Sequence, residues 1–318
     1  MVYARNTMET LLKVLVIFFS VLLGAIVGSF LGAAVWRLKT GKSLARGHSI
    51  CPNCKKQLGI SDLVPLFSYV FLRGKCRYCN KKISPHYFIT ELLTATTFGT
   101  IGYLAIESTG IDLLTGFYST LDTVLLVVVF GAVLGIAAIL ILVAIFDLWY
   151  MEVPERALPF LYIFTGVFAV AIGVLVLRES GVNLVEAFSD EALVTGWLFG
   201  IDRLSIWPVV INAALGAAIM FLFFFGMNRL TKGKGMGFGD VVFAPAVGLW
   251  LGGFLTLFAL LASFILGSVV ASIWALIKCH KIKGVLVPYL PFLCASALLV
   301  FVFSAEIMNW LVNYLILW

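Results

Sequence analysis

The chain has 318 residues, 62% of them hydrophobic and 12% charged, with a net charge of +6 at pH 7. Soluble domains carry roughly 25% charge, so an ordinary soluble globule is excluded, and disorder is excluded by the same apolar excess. A membrane protein of several spans remains, in which the positions of the 22 basic and 16 acidic residues matter more than their sum.

A helix needs about 20 apolar residues to cross the hydrocarbon. Eight candidates follow in chain order: 10–36, 87–106, 121–146, 157–177, 207–227, 240–254, 256–278 and 287–304. The first is longer than the apolar core of a signal peptide. It ends at Trp36-Arg37 without a small-residue cleavage site, so a retained span is expected. Residues 240–278 form one apolar stretch broken only near Gly252-Gly253, and the tail 305–318 is expected to lie along the interface or extend the last helix. With eight spans both termini fall on one side. Placing them outside leaves 18 basic residues inside and four outside, as the positive-inside rule requires. The acidic outer segment 178–206, with Glu179, Glu186, Asp190, Glu191 and Asp202, fits the same orientation. The basic excess therefore reads as topology and attraction to anionic lipid, and nucleic acid is not an expected partner.

The loop 37–86 is the sizeable polar region. Cys51-Pro52-Asn53-Cys54 is followed after 21 residues by Cys76-Arg77-Tyr78-Cys79. A C-x-x-C turn places two sulfurs about one ion and two turns close a tetrahedron, so Cys51, Cys54, Cys76 and Cys79 are the expected ligands of a structural zinc. Two disulfides or four free thiols are the alternatives, and a reducing cytoplasm argues against the former. Lys55, Lys56, Arg73, Lys75, Arg77 and Lys81 offset the thiolate charge. Such a small loop has little core, so the metal is expected to supply much of its folding free energy. His48 and His86 flank the loop and His280 sits among Lys278, Lys281 and Lys283. None is needed by a complete four-cysteine site, and Cys279 and Cys294 lie in or beside apolar runs.

Acidic residues at span ends are functional suspects. Asp147 closes the apolar run that starts near Val124, and the turn Leu148 to Val153-Pro154 follows it. Asp240 follows Gly235-Met236-Gly237-Phe238-Gly239, whose glycines permit close approach of another chain segment. Both aspartates fall at the cytoplasmic end of their spans. Two carboxylates at one depth in a low dielectric can share a proton, one acting as base on a water and the other as acid on a carbonyl. An interfacial anchor is the competing role for either aspartate alone. Asp112, Asp122 and Glu91 are assigned no chemistry, and Glu152 and Glu155 are expected to be solvated.

Together these residues resemble the bacterial prepilin peptidases, the type IV leader peptidase family of G-x-G-D aspartic membrane proteases. Gly28-Ser29-Phe30-Leu31 with Arg37-Leu38 is similar to the family's first-span signature. The loop matches in Cys51-Pro52-x-Cys54, Asp62-Leu63-Val64-Pro65-Leu66-x-Ser68-Tyr69, Leu72-Arg73-Gly74-Lys75-Cys76-Arg77-x-Cys79, Ile83-Ser84, Tyr87 and Glu91-Leu92. Asp147 with Val153-Pro154 resembles the first catalytic aspartate and its Ile-Pro element, and Gly237-Phe238-Gly239-Asp240 the second.

The resemblance implies an all-α polytopic membrane protein of about eight transmembrane helices with a small cytoplasmic zinc-knuckle loop domain. It divides the chain into a first helix 1–36, the loop domain 37–86 and a membrane-embedded peptidase domain 87–318. It implies cleavage of the basic leader of prepilins or pseudopilins ahead of their hydrophobic N-terminal helix, with Asp147 and Asp240 as the catalytic pair and Gly237, Gly239 and Pro154 as motif support. It implies methylation of the new N-terminus by S-adenosylmethionine, through residues not assigned, in the cytoplasmic membrane of a bacterium that uses type IV pili or type II secretion. The sequence departs from the pattern at Val242, where lysine is usual, at Glu155, where asparagine is usual, and at His86, where arginine is usual. A different intramembrane protease, an ion transporter or a non-catalytic assembly scaffold are the competing readings. Almost no polar residue lies at mid-span in spans three, five and seven, which argues against a transporter.

Overall fold

A computed structural model describes residues 2–44, 48–51, 53–109, 119–180, 206–233, 236–274, 276–277, 287–311 and 313. Cys279, His280, Asp112, the basic cluster at 278–283 and most of the acidic segment 178–206 lie outside them. Among the described residues the regular structure is helical, with two isolated bridges, Ile50 to Gln57 and Lys75 to Lys82. The helices are α1 (Val2–Lys39), α2 (Phe67–Phe71), α3 (His86–Thr109), α4 (Thr120–Tyr150), α5 (Leu158–Ser180), α6 (Ile206–Leu230), α7 (Phe238–Leu251), α8 (Gly253–Trp274), α9 (Leu290–Val302) and α10 (Ser304–Leu311).

Six of these helices are long and apolar enough to span a bilayer, or seven if α9 and α10, bent by 70° at their junction, count as one span. The sixth expected span, 240–254, differs: α7 has 14 residues, about 21 Å at 1.5 Å per residue against about 30 Å of hydrocarbon. The expected break falls at Gly252, whose φ of +76° ends α7. There the Asn212 amide oxygen accepts the Gly253 N–H at 2.9 Å, so the first free donor of α8 is satisfied.

The chain forms two compact units, Met1–Phe117 with Ala137–Phe146, and Tyr118–Ile136 with Asp147–Trp318. In the first, α1 packs along α3. Lipid tails are as apolar as leucine, so such helices associate through close backbone approach rather than through the hydrophobic effect. Gly28 supplies it: a methyl group there would collide with the Glu91 backbone. Thr90 and Thr94, both buried, donate their hydroxyls to the carbonyls of His86 at 2.7 Å and Thr90 at 2.8 Å, so neither hydroxyl is stranded. In the second unit α6 packs on α7 in the same way. Gly216 and Gly248 bring the two backbones into contact, and a side chain on either would overlap the other. Phe224, Phe243, Leu161, Leu290 and Leu293 fill its interior, while Val170, Leu222 and Leu261 point outward.

Candidate active site and metal centre

The loop between α1 and α3 contains two turns of the same construction. In the first, the Lys55 N–H donates to the Cys51 carbonyl at 2.9 Å and the Cys51 N–H to the Lys56 carbonyl at 3.0 Å. In the second, the Asn80 N–H donates to Cys76 at 2.9 Å and the Cys76 N–H to Lys81 at 2.9 Å. Lys55 and Asn80, each following the second cysteine of its pair, have φ of 59° and 54°, which bends the chain back and leaves both sulfurs on one side.

The Sγ atoms of Cys51, Cys54, Cys76 and Cys79 all lie within 4.8 Å of one another, and no histidine joins the group. A tetrahedral zinc with Zn–S near 2.3 Å needs sulfurs about 3.8 Å apart, and Cys51 and Cys79 stand at 4.0 Å. The four donors therefore fit a tetrahedral thiophilic ion. The Lys81 N–H favours the Cys79 thiolate, but desolvation and the thiols of Cys76, Cys54 and Cys51 outweigh it and push Cys79 up to about 11. A coordinated cation reverses that balance, since a coordinating thiol is deprotonated.

The rest of the loop is tied down by carboxylates. Asp62 accepts from the Gly59 N–H at 3.1 Å, from Arg77 Nε at 2.6 Å and from the Tyr78 hydroxyl at 3.2 Å. Burial pushes the Asp62 carboxyl up, but the Gly59 N–H and the Arg77 guanidinium outweigh it and hold the group below its ordinary value. Glu91, assigned no chemistry by the sequence reading, is buried, and its Oε2 accepts the Leu66 N–H at 2.7 Å. It borders a cavity of about 160 Å³ shared with Ser29, His48, Tyr69, Tyr87 and Phe88. His86 meets the Ser84 hydroxyl at 2.7 Å and lies apart from the cysteines.

In the second unit, α4 carries Asp147 in its last turn and α7 carries Asp240 in its first. Asp147 is 7% exposed, and its Oδ2 accepts the Leu290 N–H at 3.1 Å. Leu290 opens α9, so its N–H is one of the first-turn donors that the helix itself cannot use. Asp240 is half-buried, and its Oδ2 accepts the Gly237 N–H at 3.2 Å. Each carboxylate thus has one oxygen held by backbone.

Gly239 explains how the two motifs meet. It packs directly on the Val153 side chain, and a methyl group at Gly239 would overlap it. The turn after Asp147, left through Met151 at φ 51° and closed by the buried Pro154, is thereby pressed against the Gly237–Asp240 turn. Glu152 and Glu155 of that turn are exposed, as expected. The side chain of Val242 is exposed too, while its carbonyl accepts the Tyr162 hydroxyl at 2.7 Å. Asp122 behaves as the expected anchor: its carboxylate accepts the Ser119 hydroxyl at 2.6 Å at the start of α4.

Leu290, Tyr162 and Cys294 were not singled out for this site by sequence, and Val153 was named only beside Pro154 in the turn after Asp147. Cys294, one turn into α9, is buried within electrostatic reach of Asp147. The Tyr289 hydroxyl bonds to Ser263 and fixes the turn ahead of α9. The one signal for this cluster was the Pro-Tyr-Leu-Pro run at 288–291, which interrupts the apolar pattern just before the last span.

The chain matches the model of the bacterial Peptidase A24 N-terminal domain over residues 22–105 and that of the type IV leader peptidase family over residues 134–272. It is similar to the prepilin leader peptidase/N-methyltransferase of Bacillus subtilis, 27% identical over 290 residues, covering 91% of this chain and 95% of that protein. The protein of the same name from Klebsiella pneumoniae is 30% identical over 243 residues, covering 74% of this chain and 84% of that one. A type 4 prepilin-like proteins leader peptide-processing enzyme of Escherichia coli is 27% identical, covering 72% of this chain and 74% of its own. No solved structure matches the chain significantly.

Proposed function

Because this chain belongs to the type IV leader peptidase family, we propose that Asp147 and Asp240 cleave the basic leader from prepilin-like proteins, and that the same chain then N-methylates the new N-terminus. What supports the peptidase reading is the packing of Gly239 on Val153, which presses together the two turns that carry these aspartates, each with one carboxylate oxygen held by a backbone N–H. In this reading the remaining oxygens would share one water. One carboxylate, ionised, takes a proton as that water attacks the scissile carbonyl. The other, protonated, donates to the carbonyl oxygen, and the amine leaves with a proton as the tetrahedral intermediate collapses. Gly237 supplies the N–H that anchors Asp240, Gly239 the close approach, and Pro154 the fixed turn beyond Asp147.

The positive-inside reading of the sequence would put the end of α4 and the start of α7 on the cytoplasmic side of the membrane. A prepilin anchored by its apolar helix would present its basic leader at that membrane face, to a pair of acids. In this reading the substrates are prepilins or pseudopilins in the cytoplasmic membrane, the peptidase chemistry belongs to the helices of 87–318, and the loop domain 37–86 holds zinc on Cys51, Cys54, Cys76 and Cys79.

S-adenosylmethionine would supply the methyl group. The cavity beside Glu91 suits it: a carboxylate and the rings of Tyr69, Tyr87 and Phe88 favour a sulfonium cation. The test is a cleavage assay in detergent on a peptide with a basic leader, a glycine and an apolar helix, read by mass spectrometry with and without the methyl donor. Cleavage after the glycine that is lost in Asp147→Asn supports the pair. Uncleaved peptide with folded, metal-loaded protein would sink it and favour a scaffold.

A further inference from the structure

We propose that the apolar face of segment 60–71 in the loop rests in the headgroup and acyl boundary of the bilayer, with an anionic lipid surface as its partner. This placement is independent of the peptidase reading. The loop 40–85 is polar and carries nine basic residues against one acidic, Asp62. Within it stands a cluster of large apolar side chains turned outward: Ile60 is 89% exposed, Phe71 80%, Phe67 64% and Val70 61%. Exposed apolar residues scattered singly need no explanation, but a contiguous group rimmed by charge marks an interaction surface.

The depth of this segment follows from its anchors. Glu91, which accepts the Leu66 N–H at 2.7 Å, lies five residues beyond His86, where the α3 span begins. Five residues are about 7.5 Å along the helix axis. Tyr69 stacks on Phe88 with ring centroids 5.3 Å apart, and its hydroxyl donates to the Ile83 carbonyl at 3.4 Å. Helix α2 therefore runs beside the first two turns of a membrane span rather than out in solution. Interfacial helices bury their apolar face about 5–10 Å into the boundary, the same depth.

The division of α2 into faces is consistent. Ser68 and Tyr69, with Leu72 just beyond the helix, line the cavity, while Phe67, Val70 and Phe71 face away from the protein. The face is set by a strained turn. Leu66 has φ 62° and ψ −52°, and the Phe67 N–H closes on the Pro65 carbonyl at 2.6 Å, a γ-turn that a leucine rarely adopts. Such a residue persists where its surroundings over-determine it, and here the buried Glu91 carboxylate does so. Exposed Lys55, Arg73, Lys75, Lys81 and Lys82 supply the positive charge that an anionic leaflet attracts. Lipid is favoured over a protein partner because the patch is tethered at both ends to spans and combines apolar area with a basic surround.

The test places photoreactive benzoylphenylalanine at position 71, at 67 or, as benchmark, at Asn53 in the first cysteine turn, in the full-length chain. Each protein is reconstituted in phosphatidylcholine vesicles with or without phosphatidylglycerol, checked for metal content, illuminated and read by mass spectrometry. Lipid adducts at 71 and 67 well above those at 53 are expected, with about threefold more adduct when phosphatidylglycerol is present. Cross-links to a second copy of the chain, cross-links to an added apolar-helix peptide, or lipid adducts no higher than at 53 would overturn the placement. Equal yields in the two lipid mixtures would overturn its anionic component.

Discussion

The two units gather their ionisable groups by different means. In the loop-bearing unit the four sulfurs come from a short stretch of chain, and two turns of identical hydrogen bonding bring them within 4.8 Å. In the other unit Asp147 accepts from a donor 143 residues away, and its turn is packed on that of Asp240 through Gly239 and on helices in contact at Gly216 and Gly248. The first arrangement is local, and a bound ion would supply much of its stability. The second is a property of a helix assembly, with no small portion that would carry it alone. A local site should be removable without loss of the helices, and an assembled one should be lost by any change that shifts them.

The largest effect is expected where the comparison is most direct. Asp147→Asn and Asp240→Asn should each lower leader cleavage by about 10³-fold or more, while the metal content of the purified protein stays at that of the parent. Retained cleavage in either variant would falsify the pairing of these two groups. Removing the metal is the converse. Structural zinc contributes apparent free energies on the order of 10 kcal/mol to small domains, so chelation or Cys51→Ser should make residues 40–85 sensitive to protease with the helical circular dichroism signal retained. A cooperative loss of helix on chelation would mean that the two units are not separable in stability.

How far the sequence foretold each unit follows the same division. The cysteine spacing was sufficient to foretell the clustering of the four sulfurs, because coordination geometry constrains residues close in sequence. The helices were legible to within a few residues because apolar length decides them, and the break at Gly252 fell where the paired glycines indicated. What could not be read was length in three dimensions: residues 240–254 are apolar enough for a span, yet α7 is ended at Leu251 by the left-handed Gly252 against Asn212. Asp147 and Asp240 stood out as acids at span ends, but the Leu290 N–H has no sequence signature because it is backbone. Glu91 resembled an interfacial anchor, and only the fold of the loop revealed its hold on Leu66.

A sharper test concerns the contact that aligns the two motifs. Gly239→Ala adds a methyl group that meets the Val153 side chain. Overpacking of this kind costs about 1–3 kcal/mol, and displacing Asp240 should lower kcat/KM about tenfold. Val153→Ala makes room for it, so the double variant should recover much of the activity lost in Gly239→Ala. The double-mutant cycle separates a steric contact from a general intolerance of alanine, since only the former shows rescue. A Gly239→Ala enzyme as active as its parent would remove this contact from the account of how the site is aligned.

The smallest expected effect discriminates most finely between the units. The Tyr162 hydroxyl donates to the Val242 carbonyl at 2.7 Å, two residues beyond Asp240. Pro245 inside α7 has no N–H for the Val241 carbonyl, so this turn lacks one of its own bonds, and Tyr162 ties the neighbouring carbonyl, that of Val242, to α5. Tyr162→Phe removes the donor and keeps the ring. A neutral hydrogen bond contributes about 0.5–1.5 kcal/mol, and Tyr162 is 38% exposed, so water can replace much of it. The expected outcome is a loss of about twofold in kcat, near the bottom of that range, with KM unchanged and metal retention under chelator identical to the parent. The acceptor is backbone, so the effect should be the same with Val242→Lys in place, although lysine is the residue the family usually carries there. A change in metal retention would show that the loop senses the packing of α5 on α7, and would make the two units one cooperative system.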